Sequence, residues 1–579
     1  MKQQHQKKVY WENKMPKGLE IEQEEIKNIR KPKEFSYSTK YFKRKYAQMD
    51  LVFNNIKSDL QELSEYFAPR MSRFLVSDVN KPIKKTRKIR DSISLKAVDD
   101  FAAGMQSGAT SAATRWFKFQ MKSKELNELN EVKVWCSELE DLMRRILASS
   151  NFYQNQLGVH KQLGSYGFSA LQMEHDYQTV VNYKLLPIGS YRYSKDHRGE
   201  VDTLARNYKE TAENIVEKYG YENCSDQVKS AFDNNTDALF ELIYFVEQNK
   251  EYNSKSPLAR HKKFIAATFE VGQDKFLKLS GYDRFPFTVY ESDVNGEDNY
   301  PSNCPGIKAL PDVKQLNDQV KDYSRGLKKI ITPTYKGPAS LAKQKGLTDA
   351  PGQIIQEDEN GRGLTPVYEV PPQIIQIKQH NDELKETIKA HFYNDLFAVI
   401  LNTADRGRTA TEVNEVKEEK MVLLSPLLDQ EHKGLRNTLE YLFFECATTG
   451  IMPLPPEIIQ QEEMEIEFVS ALALAQKVKG ISSIERCTTF VVNLAQATDP
   501  TLVYKLDVDQ IVDDYAEIAN VNPKHIRSTD EVNKKRAEIA QQQAQQQQMQ
   551  ALQQGSEMIR NMGGIDSIGG DLATRLGVG

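Results

Sequence analysis

The chain of 579 residues lacks the patterns that mark secreted, membrane and zinc-binding proteins. No run of 18 apolar residues occurs, and no basic segment precedes a short apolar one, so we expect neither a membrane-spanning nor a secreted protein. Cysteine is scarce, and no two cysteines form a Cys-x-x-Cys pair. Such spacing favours reduced thiols in a cytosol-like compartment over a zinc module. The five are Cys136, Cys224, Cys304, Cys446 and Cys487.

The common catalytic motifs are also missing. No G-x-x-x-x-G-K-[ST] loop is present to cradle phosphates, and neither H-E-x-x-H nor G-x-S-x-G occurs. We therefore expect no catalytic residues, no metal and no cofactor. One enzymatic alternative stays open, a metal-dependent DNA-processing enzyme that uses the acidic stretch 506–514. That stretch lacks the glycine and closing glutamate of a calcium loop, so a solvated acidic helix is the simpler interpretation.

Charge is nearly balanced overall, at a net −4, so any contact with nucleic acid must come from local patches. Residues 1–46 hold 13 Lys or Arg against 6 Asp or Glu, which predicts an exposed basic arm. Six of the ten residues from Lys81 to Arg90 are also basic. This run is either a solvated loop or a contact with DNA or another protein.

The pattern of apolar residues changes along the chain and predicts an α+β fold that is mainly helical. Apolar residues step three and four apart from Phe53 to Phe67, as on one face of a helix. Beyond Gly167 the period becomes strand-like, and 264–270 with 275–279 predict a hairpin. Trp116 and Phe117 are expected to be core anchors.

Two long helices are predicted around an insert at 331–372 that is rich in Pro and Gly. The second helix leads to a short loop that carries Arg406 and Arg408. Thr409 and Glu412 then have the spacing of a capping box, which predicts a new helix, with Pro426 kinking it. Taken alone, the two arginines are either a solvated turn or a contact with an anion.

The last part of the chain begins after a cluster of prolines, Pro453, Pro455 and Pro456. Residues 457–536 are helical in pattern, with breaks at Pro500 and Pro523. Ten of the fourteen residues from Gln541 to Gln554 are glutamine, a composition that suits either a helix in an assembly or a disordered tail.

The order of these parts resembles the portal, or head-to-tail connector, proteins of short-tailed bacteriophages, from about Ala47 to Ala540. Each motif is weak alone, but together and in this order they are fairly specific. The motifs are Phe67-Ala68-Pro69-Arg70, Ala102-Ala103-Gly104-Met105, Pro305-Gly306, Ala309-Leu310-Pro311-Asp312, Leu316-Asn317, Thr409-Ala410-Thr411-Glu412-Val413, Leu424-Ser425-Pro426, and Gly450 to Pro456 followed by Ser470-Ala471-Leu472-Ala473.

The resemblance implies a portal fold of wing, stem, clip and crown, assembled as a ring that is typically a dodecamer. By that likeness the segments are a basic arm (1–46), the wing (47–304), the first stem helix (305–330), the clip (331–372), the second stem helix (373–401), the tunnel loop (402–409), a kinked wing helix (410–452), the crown (453–540), and a Gln-rich and Gly-rich tail that could form a barrel (541–579).

The same resemblance implies a function without catalysis at one capsid vertex of the virion, with assembly in the host cytoplasm. Double-stranded DNA would pass through the ring during packaging and ejection. Partners would be other copies of the chain, the large terminase, tail adaptor or connector proteins, and the major capsid and scaffold proteins. Candidate DNA-channel residues are Arg406, Arg408, Lys385 and Lys389, and candidate clip contacts are Tyr335, Lys336, Lys343 and Lys345. For Lys385 and Lys389 the alternative is ordinary exposed lysines near Glu383 and Glu386.

Overall fold

The computed structural model of the chain describes most of the residues from Tyr37 to Met549. The described residues are 37–74, 88–293, 298–337, 365–367, 374–401, 410–459, 463–470, 472, 486–497, 499, 501, 505–518, 532–546 and 549. They belong to two compact units, a large one of residues 1–126 and 135–479 and a small one of 127–134 and 480–579.

Helices make up most of the ordered chain. In chain order they are α1 (Thr39–Tyr66), α2 (Ile93–Ala109), α3 (Lys124–Glu128), α4 (Asn130–Ser149), α5 (Phe152–Tyr166), α6 (Ala212–Tyr219), α7 (Asp226–Asn234), α8 (Pro305–Ile331), α9 (Ile374–His391), α10 (Asn394–Leu401), α11 (Ala410–Thr449), α12 (486–497), α13 (Val508–Ile518) and α14 (532–546).

Strands are concentrated between α5 and α8. They are β1 (Phe117–Met121), β2 (Phe168–Asp176), β3 (Val180–Leu185), β4 (Tyr191–Lys195), β5 (Val201–Thr211), β6 (Leu239–Gln248), β7 (Phe264–Glu270), β8 (Phe276–Tyr282), β9 (Phe287–Glu291), β10 (Tyr335–Lys336), β11 (Thr365–Pro366) and β12 (Met464–Phe468).

All strand pairs are antiparallel. One sheet has five strands in the order β4-β5-β6-β7-β8, a second has the order β3-β2-β9, and β1-β12 and β10-β11 are two-stranded. The hairpin β7–β8 lies where the sequence predicted it. Mixed helix and sheet, mainly helical, is thus confirmed as the fold class.

The main core lies where α1, α2 and α5 meet the helices that follow the strands. Gly104 on α2 shows how closely they pack, since a Cβ atom there would come within 2.3 Å of the Phe397 ring. The small residues of α2 therefore allow the contact. Trp116 and Phe117 are fully buried, which confirms them as core residues.

The predicted end of the basic arm, at residue 46, is wrong, because α1 already begins at Thr39. Ser38 caps this helix by accepting from Tyr41 N. Phe42 is fully buried and packs on Phe245 and Phe276 of the five-stranded sheet. The segment is rich in lysine, but its helix also has an apolar face, and this face anchors the helix to the sheet.

The second long helix is also divided, whereas one continuous helix was predicted over 373–401. It ends at His391, and Tyr393 has a left-handed backbone, with a φ of 56°. This turn lets the fully buried Phe392 pack on Phe67 and Phe101 before α10 starts. Aromatic packing outweighs helix continuity here.

The helical pattern predicted for 457–536 fails at Met464–Phe468, which forms β12. In this segment Met464, Ile466 and Phe468 alternate with two glutamates, a period of two that suits a strand. Phe468 pairs with Phe117 across the sheet and stacks on Trp116 at 6.5 Å.

Pro426 was predicted to kink the helix that follows the basic loop. It lies inside α11, which is a single helix from Ala410 to Thr449.

A buried carboxyl group joins β1 to α4. Glu140 is 4% exposed, its Oε1 accepts from Phe119 N at 2.9 Å, and its Oε2 lies 3.8 Å from the Arg115 guanidinium. Burial raises the pKa of Glu140 from 4.5 to about 7, although the Phe119 hydrogen bond and Arg115 oppose the rise.

We predict that Glu140→Gln changes how stability depends on pH. Because the folded state holds this proton more tightly than the unfolded state, the parent chain loses stability as pH rises from 4.5 to about 7. Gln is neutral and retains the acceptor for Phe119. Its unfolding free energy relative to the parent should therefore rise by roughly 2 kcal/mol between pH 5 and pH 8.

Thermal or urea unfolding at several pH values measures this difference. Glu138→Gln, on the same helix but exposed, is the control and should show no such trend. Parallel curves for Glu140→Gln and the parent would contradict the prediction.

Candidate functional site

The helices α8 and α9 run antiparallel and form the long helix pair that the sequence predicted at 305–330 and 373–401. Pro305 occupies the first turn of α8, where its missing N–H is not needed. Next to it, a Cβ atom on Gly306 would lie 2.5 Å from Ser165 O of α5, so only glycine allows this approach. Cross-helix contacts hold the pair, among them His391 Nε2 to Asp312 Oδ2 at 3.2 Å.

The two lysines predicted to face a channel lie on α9 and are paired within the chain. Lys385 Nζ is 3.1 Å from Asp91 Oδ2 and 3.7 Å from Asp382 Oδ1. Lys389 Nζ is 2.7 Å from Glu386 Oε1. About a third of each lysine side chain is exposed, 32% and 31%. Their charges are therefore partly balanced by neighbouring carboxylates, which weakens their attraction for any outside anion.

A buried amide fixes the approach of the chain to α2 against the helix pair. Asn317 of α8 is 4% exposed, and its Oδ1 accepts from the backbone N–H groups of Arg90 and Asp91. Its Nδ2 donates to Val313 O at 2.7 Å, so both the oxygen and the nitrogen of the amide have partners. This junction, together with Lys385 and Asp91, joins α2, α8 and α9.

The far end of the helix pair leads into the predicted clip. β10 and β11 pair there, with Tyr335 opposite Pro366 and Lys336 opposite Thr365. The segment between these strands thus begins and ends at one place, as expected for a lobe inserted between two helices. Lys336 is exposed. Lys343 and Lys345 lie outside the described residues, and for Tyr335 only the backbone is described.

The basic loop predicted at 402–409, with Arg406 and Arg408, lies outside the described residues. The helix that follows it begins at Ala410, as the spacing of Thr409 and Glu412 predicted. The elements on either side of the loop, α10 and α11, are described, and both belong to the large unit.

Sequence analysis missed the contact that anchors α11. His160 Nε2 of α5 lies 2.6 Å from Glu431 Oε1 of α11, and both side chains are fully buried. Three residues on, a Cβ atom at Gly434 would come within 2.4 Å of the Tyr290 ring. A lone histidine and glutamate 271 positions apart carry no local signal, so nothing in the sequence could pair them.

The lysine-rich run Lys81 to Arg90 is described only from Lys88 onward. Lys88 Nζ forms an ion pair with Glu65 at 2.5 Å, and Arg90 is exposed. The end of the run therefore lies beside α1 and α8, and both interpretations of the run stay predictions.

The acidic stretch offered as a metal site is helical from Val508 onward. Asp509 accepts hydrogen bonds from both terminal nitrogens of Arg536, at 2.6 and 2.8 Å, within the small unit. Across the described residues, no group of three or more His, Cys, Asp or Glu is arranged to hold a metal ion. Nor does any described helix combine the length and the apolar character needed to cross a bilayer.

Comparison with known proteins gives matches along most of the chain. The family model described as "Bacteriophage head to tail connecting protein" matches residues 39–526. The portal protein of Salmonella phage epsilon15 is 32% identical over 525 residues, which cover 89% of this chain and 94% of that protein. The probable portal protein of Bordetella phage BPP-1 is 31% identical over 532 residues, 90% and 95% of the two chains.

Among solved structures, a chain of the virion of a native gene transfer agent particle matches with a TM-score of 0.34. Its identity is 11%, and the match covers 69% of this chain and 85% of that one.

We predict that Asn317→Leu destabilises the large unit by about 1–3 kcal/mol, because two backbone N–H groups lose their buried acceptor. Asp318→Leu, on the next and exposed position of α8, should change stability by less than about 0.5 kcal/mol. Urea unfolding of both variants measures the difference. Equal effects would show that the amide does not hold this junction.

Proposed function

Since this chain belongs to the family of bacteriophage head to tail connecting proteins, we propose that it acts as the portal subunit of a phage virion. The observation that carries this function is identity above 30% to two phage portal proteins over about nine-tenths of the chain. The role is structural and the chain is not an enzyme, so energy for DNA movement must come from a partner.

The proposed assembly is a ring, typically of twelve copies, with wing, stem, clip and crown as assigned from the sequence. In each copy α8 and α9 would be the stem, since they leave the wing, frame an inserted lobe and return. Placed around one axis, such helix pairs would enclose a channel for duplex DNA. The two close contacts of α5, with Gly306 and with Glu431, support a wing that holds the stem and the following helix in place.

The proposed channel must attract DNA weakly and without regard to base sequence, or the genome could not slide. Rings of cations facing phosphate meet both needs, since phosphate contacts do not read bases. Arg406 and Arg408 are the proposed source of these contacts. Lys385 and Lys389 would add less, because carboxylates of the same chain already balance them.

The clip at 331–372, with Tyr335, Lys336, Lys343 and Lys345, is the proposed docking site for the large terminase and afterwards for tail adaptor proteins. Capsid and scaffold proteins would meet the wing. The chain is a component of the virion, and we propose the host cytoplasm as its place of assembly.

We expect the purified chain to form rings with a central hole. Size-exclusion chromatography with negative-stain imaging measures this, and averaging of end-on views gives the symmetry. A monomer that cleaves DNA in the presence of magnesium would instead support the enzymatic alternative at 506–514 and refute the portal role.

Charge reversal by Arg406→Glu with Arg408→Glu should lower DNA packaging or retention at least several-fold while rings still form, because carboxylates would repel the phosphates. Lys133→Glu with Lys218→Glu, exposed on α4 and α6, is the matched control and should leave packaging unchanged. If the arginine variant packages and retains DNA normally, the loop has no such role, although the ring can still stand.

A further inference from the structure

A strongly basic surface lies on the part of the chain assigned to the wing. It combines the start of α1, residues 40–45, with the loop between β6 and β7, residues 250–263. We name it the basic face and propose that it binds the phosphate backbone of double-stranded DNA without sequence preference.

Direct contacts join the two segments of the basic face. Tyr37, just before α1, donates from its hydroxyl to Asn249 Oδ1 at 3.2 Å and accepts from Lys250 N at 2.8 Å. Two ammonium groups lie over the Tyr41 ring, with Lys45 Nζ at 5.5 Å and Lys250 Nζ at 5.2 Å from its centroid. Cations of both segments therefore meet at Tyr41.

The described residues do not balance the charge of the basic face. Apart from Lys250, three of its eight cations have carboxylate partners: Lys43 with Asp274, Lys45 with Glu247, and Lys262 with Asp283. Glu251 is the one acidic residue inside the two segments. The eight cations are Lys40, Lys43, Arg44, Lys45, Lys255, Arg260, Lys262 and Lys263, so the four carboxylates leave an excess of four positive charges.

Four of these cations are exposed and have no ion pair with another described residue: Lys40, Arg44, Lys255 and Arg260. Burial, and to a lesser degree the nearby Arg284, lowers the pKa of Lys263. In a chain whose net charge is −4, such a cluster repels itself. A bound polyanion would relieve that repulsion.

The chemistry of the basic face fits phosphates better than an acidic protein partner. Its cations sit on long, exposed side chains, and such contacts suit a regular row of phosphates, which needs charge but no pocket. A protein interface instead relies on a buried cluster of aromatic or aliphatic anchors. Only Tyr252 and Leu258 are large, exposed apolar residues in these two segments among those described. The choice of duplex DNA as the ligand rests on the proposed function.

Fluorescence anisotropy with a labelled duplex of about 30 base pairs, measured on the full chain over a range of salt, tests the proposal. The test variant carries Lys40→Gln, Arg44→Gln, Lys255→Gln and Arg260→Gln. The matched control removes the same charge from exposed lysines elsewhere, by Lys96→Gln, Lys133→Gln, Lys218→Gln and Lys535→Gln. All eight side chains are exposed, so both variants should fold.

We expect the test variant to raise the Kd at least tenfold near 0.1 M salt, and to make the slope of log K against log salt shallower by about 3. The control should change the Kd by less than about twofold, the shift expected from net charge alone. Equal loss in both variants, or no loss in the test variant, would overturn the proposal.

A second arm uses labelled poly-glutamate, and loss of poly-glutamate binding with intact DNA binding would assign the basic face to an acidic protein instead. Negative-stain imaging of the same samples separates the DNA-binding proposal from the portal proposal. If rings form but the test variant binds DNA normally, this inference fails while the portal role stands.

Discussion

The structure depends on how closely α5 packs against two later helices. At one end its Ser165 carbonyl approaches Gly306, where no side chain fits, and in its middle His160 meets Glu431 in a fully buried contact. Losing one partner of such a contact leaves a buried polar group without a hydrogen bond, which typically costs about 1–3 kcal/mol. One central helix thus fixes both the start of α8 and α11, which follows the arginine loop.

In this arrangement the residues that hold the helices in place differ from those proposed to bind DNA weakly. The junction of α2, α8 and α9 uses its polar groups on itself: Asn317 holds two backbone N–H groups, and Lys385 holds Asp91. Groups that already have hydrogen-bond or ion-pair partners in the chain bind an outside ligand only weakly. A stem made of α8 and α9 would still carry nine Lys or Arg against six Asp or Glu. Its paired cations would hold DNA only weakly, which suits DNA that must move along it, and the loop arginines would add to the attraction of the remaining cations.

The sequence predicted what depends on local periodicity. The α8 helix, the β7–β8 hairpin and the start of α11 follow from spacing within a few residues. It failed where contacts distant in sequence decide, as at Tyr393, where three buried aromatic rings impose a turn on a helical pattern. β12 is a different case, because the alternation from Met464 to Phe468 was readable but lay within a segment taken as helical throughout.

The same limit applies to charge. Counting charged residues along the sequence finds runs such as Lys81 to Arg90, because the cations of such a run are close together in the sequence. It cannot find the basic face, whose halves are about 200 positions apart and meet through Tyr37 and Lys250. Counting also misjudged 39–46, where the lysines that suggested a loose arm lie on a helix held by the buried Phe42. A cation on an ordered helix has a defined position relative to its neighbours. Only such fixed charges can present a row of phosphates with a matching surface, so the packing that sequence analysis missed is also what makes this surface able to bind.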